Sequence, residues 1–210
     1  MNKLFVFGCS FTKGSGCLEG EPYTLKYKKS DKDLIWPEIL AEELNLKLYN
    51  FGEPGKSNGR IIDSVIENFE LIQKDDFVII QKTFPYRFEA ATRQPKSLQH
   101  TLFTVTPHTY DLLLYEGYSK EEANALCMVS VINDNIAFSK KTEGLFNFIK
   151  KSILNKGVRM CMIWDWMDYE DKYQIIQQAD KTINDAHWSY EGHRMFAEEI
   201  INNIKYKKIV

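Results

Sequence analysis

Short runs of consecutive apolar residues alternate along this chain with longer stretches in which apolar residues return every three or four positions. Lys3-Leu-Phe-Val-Phe-Gly8 is a brief apolar run closed by glycine and predicts a buried strand. Pro37 to Asn45 predicts a helix, with proline at its first position and Ile39, Leu40 and Leu44 on one face. Leu46 to Phe51 predicts a second strand, and Pro54, Gly55 and Ser57 mark a turn after it. The strongest helical pattern follows: Ile61, Ile62, Val65, Ile66, Phe69 and Ile72 share one face, with Ser57 or Asn58 as N-cap. Phe77 to Gln81 and Val158 to Trp164 predict two more strands, the latter after the helix-stop pair Lys156-Gly157. A helix with Leu145, Phe146, Ile149 and Ile153 on one face precedes that pair, and residues 189–206 predict a terminal helix aligned on Phe196, Ile200 and Ile204. Residues 90–140, with Pro95, Pro107 and Gly117, form an insertion into this alternation.

Apolar strands alternating with amphipathic helices predict one α/β domain over 1–210, a parallel sheet with helices on both faces. Such sheets bind ligands outside the carboxyl ends of their strands. Attention therefore falls on the loops after Gly8, Phe51, Gln81 and Trp164.

Composition narrows the function classes. The 210 residues are 44 % hydrophobic and 27 % charged, which excludes a disordered or fibrous chain. With 27 Lys and Arg against 29 Asp and Glu, nothing favours nucleic acid or an anionic membrane as partner. No apolar run approaches the ~20 residues of a membrane span. The run from Leu4 to Cys9 is too short for a signal segment. Cys9, Cys17, Cys127 and Cys161 have neither CxxC nor metal-ligand spacing, and Cys127 and Cys161 lie in apolar runs as core thiols. A reducing, cytoplasmic setting is expected.

Three of the four loops carry candidate chemistry. In Gly8-Cys9-Ser10-Phe11-Thr12, a serine two residues past a strand can expose its hydroxyl and free its N–H, as an acyl-transfer nucleophile requires; the plainer reading is a helix-capping serine. Lys13 precedes Gly14 instead of following it, so a phosphate-binding loop does not fit. In Asn50-Phe51-Gly52-Glu53-Pro54-Gly55, a glycine ahead of a helix can present its N–H to an oxyanion, or simply turn the chain. In Asn184-Asp185-Ala186-His187, an imidazole beside a carboxylate suits a general base and its orienting acid. His193 falls on the terminal helix and reads as packing or capping, and His100 and His108 lie in the insertion without evident partners.

Taken in order, these three loops resemble the blocks of the SGNH (GDSL-like) hydrolase superfamily across nearly the whole chain. Ser10 matches the first block. Asn50, Gly52 and Gly55 match the second, and His187 with Gly192 matches the last. The resemblance implies a three-layer α/β/α, flavodoxin-like fold and a serine hydrolase acting on an ester or O-acetyl group. It implies Ser10 as nucleophile, His187 as base and Asp185 as orienting acid, with the N–H groups of Ser10 and Gly55 as oxyanion donors and no metal or organic cofactor. Two departures stand out. The asparagine of the third block is missing from Gln81-Lys82-Thr83-Phe84-Pro85-Tyr86-Arg87, and Asn184 occupies the usual place of the acid. Thr83, Gln81 or Arg87 could supply the missing donor, and Thr83 and Arg87 are expected at the substrate. The insertion around Tyr86, Arg87, Phe88, Arg93, His108 and Tyr110 would roof the site, its aromatic and cationic mix suiting an acetylated sugar; alternatively, Tyr110 to Tyr115 merely pack the insertion down. The competing function is a binding or assembly scaffold of the same fold that has lost activity.

Overall fold

A computed structural model of the chain describes residues 1–14, 34–85, 87–91, 102–132, 136–165 and 190–206. Four strands form a parallel sheet: β1 (Lys3–Gly8), β2 (Lys47–Gly52), β3 (Phe77–Lys82) and β6 (Met160–Asp165), in the order β2-β1-β3-β6. Leu4 pairs with Leu48 on one side and Phe77 on the other, and Phe77 pairs with Met160. Residues Leu4 to Phe7 of β1 are fully buried, because both neighbours and both faces of this strand are covered.

The two faces carry separate cores. Leu4, Val6, Phe77, Ile79 and Trp164 face α2 (Trp36–Glu43) and α7 (Tyr190–Lys205). There the Trp36 indole meets Phe196 and Trp164 edge-on, with centroids 5.3 and 6.3 Å away. Phe5, Phe7, Val78, Ile80 and Cys161 face α3 (Asn58–Glu67) and α6 (Ile136–Asn155). Alternate residues of each strand thus feed opposite layers, the period-two consequence of the pleat. This is the three-layer α/β/α arrangement expected from the alternation.

The element boundaries follow local chemistry. Ser57 caps α3, its Oγ accepting from Arg60 N–H at 3.3 Å. The predicted face of that helix is shorter than expected. The α-helix ends at Glu67, Phe69–Leu71 forms a 3₁₀ turn, and Ile66 is exposed. On α6 the buried stripe is Phe146, Ile149 and Ile153, with Leu145 turned outward. His193 is fully buried on α7.

The expected insertion is a small unit with its own core. It begins with β4 (Phe88–Ala91) and β5 (Leu102–Val105), an antiparallel pair, followed by α4 (Tyr110–Tyr115) and α5 (Lys120–Ile132). Ala90, Val105, Leu113 and Ala123 form its centre, with Phe88, Tyr110, Leu114 and Cys127 against it. Leu113 therefore packs the insertion on itself, while Leu112 and Tyr115 are exposed. The inserted stretch begins slightly earlier than 90 and gives way to α6 at Ile136, a helix that already belongs to the main sheet.

Candidate active site

The chain leaves β1 for β2 and then crosses back to β3, so the sheet reverses its winding between β1 and β3. The crevice at such a reversal is where open parallel sheets place their ligands. Loop one enters it from Gly8. Cys9 is extended, and Ser10 begins α1 (Ser10–Lys13), a single turn closed by Gly14 N–H donating to Ser10 C=O at 2.9 Å. Ser10 is therefore inside the turn and is not its cap. Its hydroxyl has one hydrogen-bond partner among the described residues, the Cys9 Sγ at 4.0 Å, and only 5 % of the residue is exposed.

Loop one is held from below by β3. Gln81 is fully buried; its Oε1 accepts from the Thr12 hydroxyl and its Nε2 donates to Cys9 Sγ at 3.3 Å. A Cβ on Gly8 would come within 2.8 Å of the Gln81 side chain. Both ends of the Gln81 amide are thus engaged in positioning the serine loop. Trp36 Nε1 donates to Phe11 C=O at 3.2 Å and fixes the same turn from the α2 side.

Loop two locks onto loop one. Asn50 Oδ1 accepts from Gly52 N–H at 2.8 Å, while its Nδ2 donates to Thr12 C=O at 3.0 Å. Glu53 N–H donates to Gly8 C=O at 3.2 Å. Gly52 passes so close to the serine turn that a Cβ there would sit 2.6 Å from Lys13 N. Gly55 has φ +76°, the left-handed region that glycine enters without steric penalty. Among the described residues, neither the Ser10 nor the Gly55 N–H donates to an acceptor. Asn50 and Gly52 therefore meet the serine loop, and Gly55 follows in the same loop.

The third loop is held by a residue that the sequence marked only as an alternative N-cap. Asn58, at the start of α3, is buried and pairs with the backbone of Thr83: Oδ1 accepts from Thr83 N–H at 2.8 Å and Nδ2 donates to Thr83 C=O at 2.9 Å. Its neighbour Ser57 announced a cap, which concealed this second task. Thr83 is itself buried, and its Oγ1 accepts from Arg87 Nη1 at 3.1 Å. The Arg87 guanidinium lies 4.8 Å from the Phe84 ring centroid, and its Nε is buried without a hydrogen-bond partner among the described residues. Farther along the edge, Lys82 Nζ lies 2.5 Å from Glu143 and 3.5 Å from Asp165.

The remaining candidates are placed unevenly. Phe88 and Tyr110 pack against the core of the insertion, and His108 is exposed in a turn. Asn184, Asp185 and His187 lie outside the described residues, as do Cys17, Tyr86, Arg93 and His100. The helix after them is oriented, however. Phe196, in the first half of α7, contacts Trp164 at the carboxyl end of β6, whereas Ile204, near the end of the helix, packs on the same core and lines a depression with Leu46 and Phe77 at the amino end. The start of α7 is thus on the edge that holds Ser10. Open depressions lined by described residues lie elsewhere, around Met1, Asn45 and Leu46 and between α2 and α7. Among the described residues no three His, Cys, Asp or Glu side chains converge as metal ligands would. None of the described helices is long and apolar enough to cross a membrane.

No protein-family model and no curated protein matches the chain. Solved structures do resemble it. One is a member of the lipolytic protein G-D-S-L family from Veillonella parvula DSM 2008, at 16 % identity, covering 96 % of this chain and 97 % of that one, with a TM-score of 0.40. Another is LAE5, an alpha/beta hydrolase enzyme from the metagenome of Lake Arreo, Spain, at 18 % identity, covering 96 % and 94 %, with a TM-score of 0.38. At those TM-scores the likeness carries no argument about chemistry, which rests on the residues of this chain.

Proposed function

We propose that the protein is a serine hydrolase that cleaves an ester or O-acetyl group. The observation that carries this reading is Ser10. It sits at the carboxyl edge of the sheet where the winding reverses, its hydroxyl caps nothing, and its N–H is uncommitted. A second uncommitted N–H, that of Gly55, belongs to the loop locked against it. Acyl transfer uses backbone donors that converge beside a serine hydroxyl to hold a developing oxyanion.

In this mechanism Ser10 Oγ attacks the acyl carbonyl and gives its proton to His187. The Ser10 and Gly55 N–H groups hold the oxyanion. The protonated His187 then donates to the departing alcohol oxygen, and water, deprotonated by His187, releases the acyl group. Asp185 holds the imidazole in the right tautomer and balances its charge. His187 stands three residues ahead of Tyr190, where α7 starts on the same edge. Thr83 and Arg87 bind the substrate, a role supported by the buried Arg87 Nε, which has no hydrogen-bond partner among the described residues, in the loop between β3 and β4. An acetylated sugar fits a cationic and aromatic pair such as Arg87 and Phe84.

The test is labelling by a fluorophosphonate probe together with hydrolysis of p-nitrophenyl acetate. Labelling of the native chain is expected, with loss in Ser10→Ala and in His187→Ala. Absence of labelling in a folded native chain would favour a binding scaffold.

A further inference from the structure

Among the described residues, one rung of the insertion's hairpin hydrogen-bonds to loop two. Glu89 on β4 and Thr104 on β5 are direct cross-strand partners, so their side chains leave the hairpin on the same face. The opposite face, with Ala90 and Val105, is turned into the insertion's own core. Thr104 Oγ1 donates to Gly55 C=O at 2.5 Å. Glu89 Oε1 accepts from the hydroxyl of Ser57, the cap of α3, and Glu89 Oε2 lies 3.5 Å from the Cβ position of Gly59. One rung therefore grips loop two at both ends, at the glycine turn and at the helix start.

Among the described residues, little else holds Gly55 itself, although Asn50 and Glu53 tie the start of the loop to loop one. A Cβ on Gly55 would meet no atom within 4 Å, and the nearest backbone bond, Lys56 N–H to Glu53 C=O, is long at 3.4 Å. Lys56 Nζ reaches Phe51 C=O at 3.3 Å and Glu53 at 3.2 Å, which ties the lysine back to the end of β2 and not to Gly55. A glycine with positive φ and open space on its side-chain face has alternative conformations nearby unless its peptide is tethered.

We propose that Glu89 and Thr104 are positioning residues, and that the insertion's hairpin is a clamp that holds the Gly55 turn in its oxyanion-binding conformation. This rests on the hydrolase reading above. The clamp makes the insertion a working part of the catalytic edge. It also explains why a carboxylate stands at the start of α3, where the helix dipole and the Ser57 hydroxyl both favour a negative charge.

Thr104→Val removes the donor and keeps the shape, Thr104→Ser restores the donor, and Glu89→Gln weakens the other end. The readouts are kcat and KM for p-nitrophenyl acetate and amide hydrogen exchange over residues 53–60, with Ser10→Ala as the reference. Expected for Thr104→Val are a kcat lowered about 10-fold to 100-fold, as misplacing a catalytic group by ~1 Å does, and KM within about twofold. Exchange should be faster over 53–60 but unchanged in β1 and β3, and Thr104→Ser should recover both readouts. Glu89→Gln should shift both in the same direction by less, and it serves alone if Thr104→Val does not fold. Normal kcat and unchanged exchange in the folded variants, with Ser10→Ala inactive, would overturn the clamp while leaving the hydrolase intact. Activity that survives Ser10→Ala would overturn the hydrolase and the catalytic role of the clamp together.

Discussion

Asn58 and Thr83 are 25 residues apart in sequence, yet the side-chain amide of the first pairs with both backbone groups of the second, at 2.8 and 2.9 Å. That pairing joins the start of α3 to the end of β3 across the carboxyl end of β1, the strand that delivers Ser10. Asn58→Ala leaves a buried N–H and a buried C=O without partners, each worth about 1–3 kcal/mol. The variant is expected to lose about 2–4 kcal/mol in urea unfolding. Asn58→Asp keeps the acceptor but sets a buried carboxylate oxygen against the Thr83 C=O, so at neutral pH it should lose at least as much. A loss below about 0.5 kcal/mol in both would mean that the Thr83 loop is held by something else.

The glycines of loop two separate two different demands. A Cβ on Gly52 would meet backbone atoms, Lys13 N at 2.6 Å and Thr12 C at 2.8 Å, which cannot rotate away. Gly55 has open space around it and only its positive φ to defend. Gly52→Ala should therefore cost several kcal/mol or prevent folding, as overpacking against rigid neighbours does. Gly55→Ala should cost about 1–2 kcal/mol, the usual strain of a left-handed L-residue. Thermal unfolding of the two variants checks the ranking, and equal losses would contradict it.

Asp185 and Asn184 compete for the imidazole of His187. Only Asp185 can balance the charge that His187 acquires; an asparagine oxygen can accept the Nδ1–H but stays neutral. Asp185→Ala is expected to lower turnover by orders of magnitude and Asn184→Ala only modestly, with both proteins folded. The reverse order would assign the orienting role to Asn184. Because only the neutral imidazole accepts a proton, activity should rise with pH through roughly 6–7. A flat profile from pH 5 to 8 would point to a different base.

Cys161, the second residue of β6, is buried against α6, and burial pushes its thiol from an ordinary 9.0 up to about 12, with Lys150 pulling the other way. The raised value means that the folded state holds its proton more tightly than the unfolded chain. Its contribution to stability is therefore complete below pH 9 and is lost as pH climbs from there towards 12. At pH 8.5 iodoacetamide should leave Cys161 untouched in the native protein and modify it after denaturation, which peptide mass mapping can follow. Rapid native labelling would show that β6 opens far more readily than its packing implies.

The hydrophobic pattern alone was enough for the sheet and its helices, because burial on two faces requires continuous apolar strands and one apolar stripe per helix, and both are periodic in sequence. The ends of β1, β2 and β3 were located within a residue or two, since Gly8, Phe51 and Gln81 each close an apolar run. Ser10 and Gly55 were legible as candidates for the same reason: each follows such an end. What they rest on was not legible. Thr12 and Gln81 are 69 residues apart, Asn50 and Thr12 are 38, and Thr104 and Gly55 are 49. The first two pairs exist because the strand register sets Phe7 beside Ile80 and Phe51 and brings the loops beyond them to one edge, and the third because the separate β4–β5 hairpin lies against loop two. The hairpin at Phe88–Val105 escaped the pattern entirely, since its strands are four residues long and too short to show a period. Local periodicity reports which face of an element is buried, whereas polar partners across an edge depend on how elements stack, and only the tertiary structure decided that.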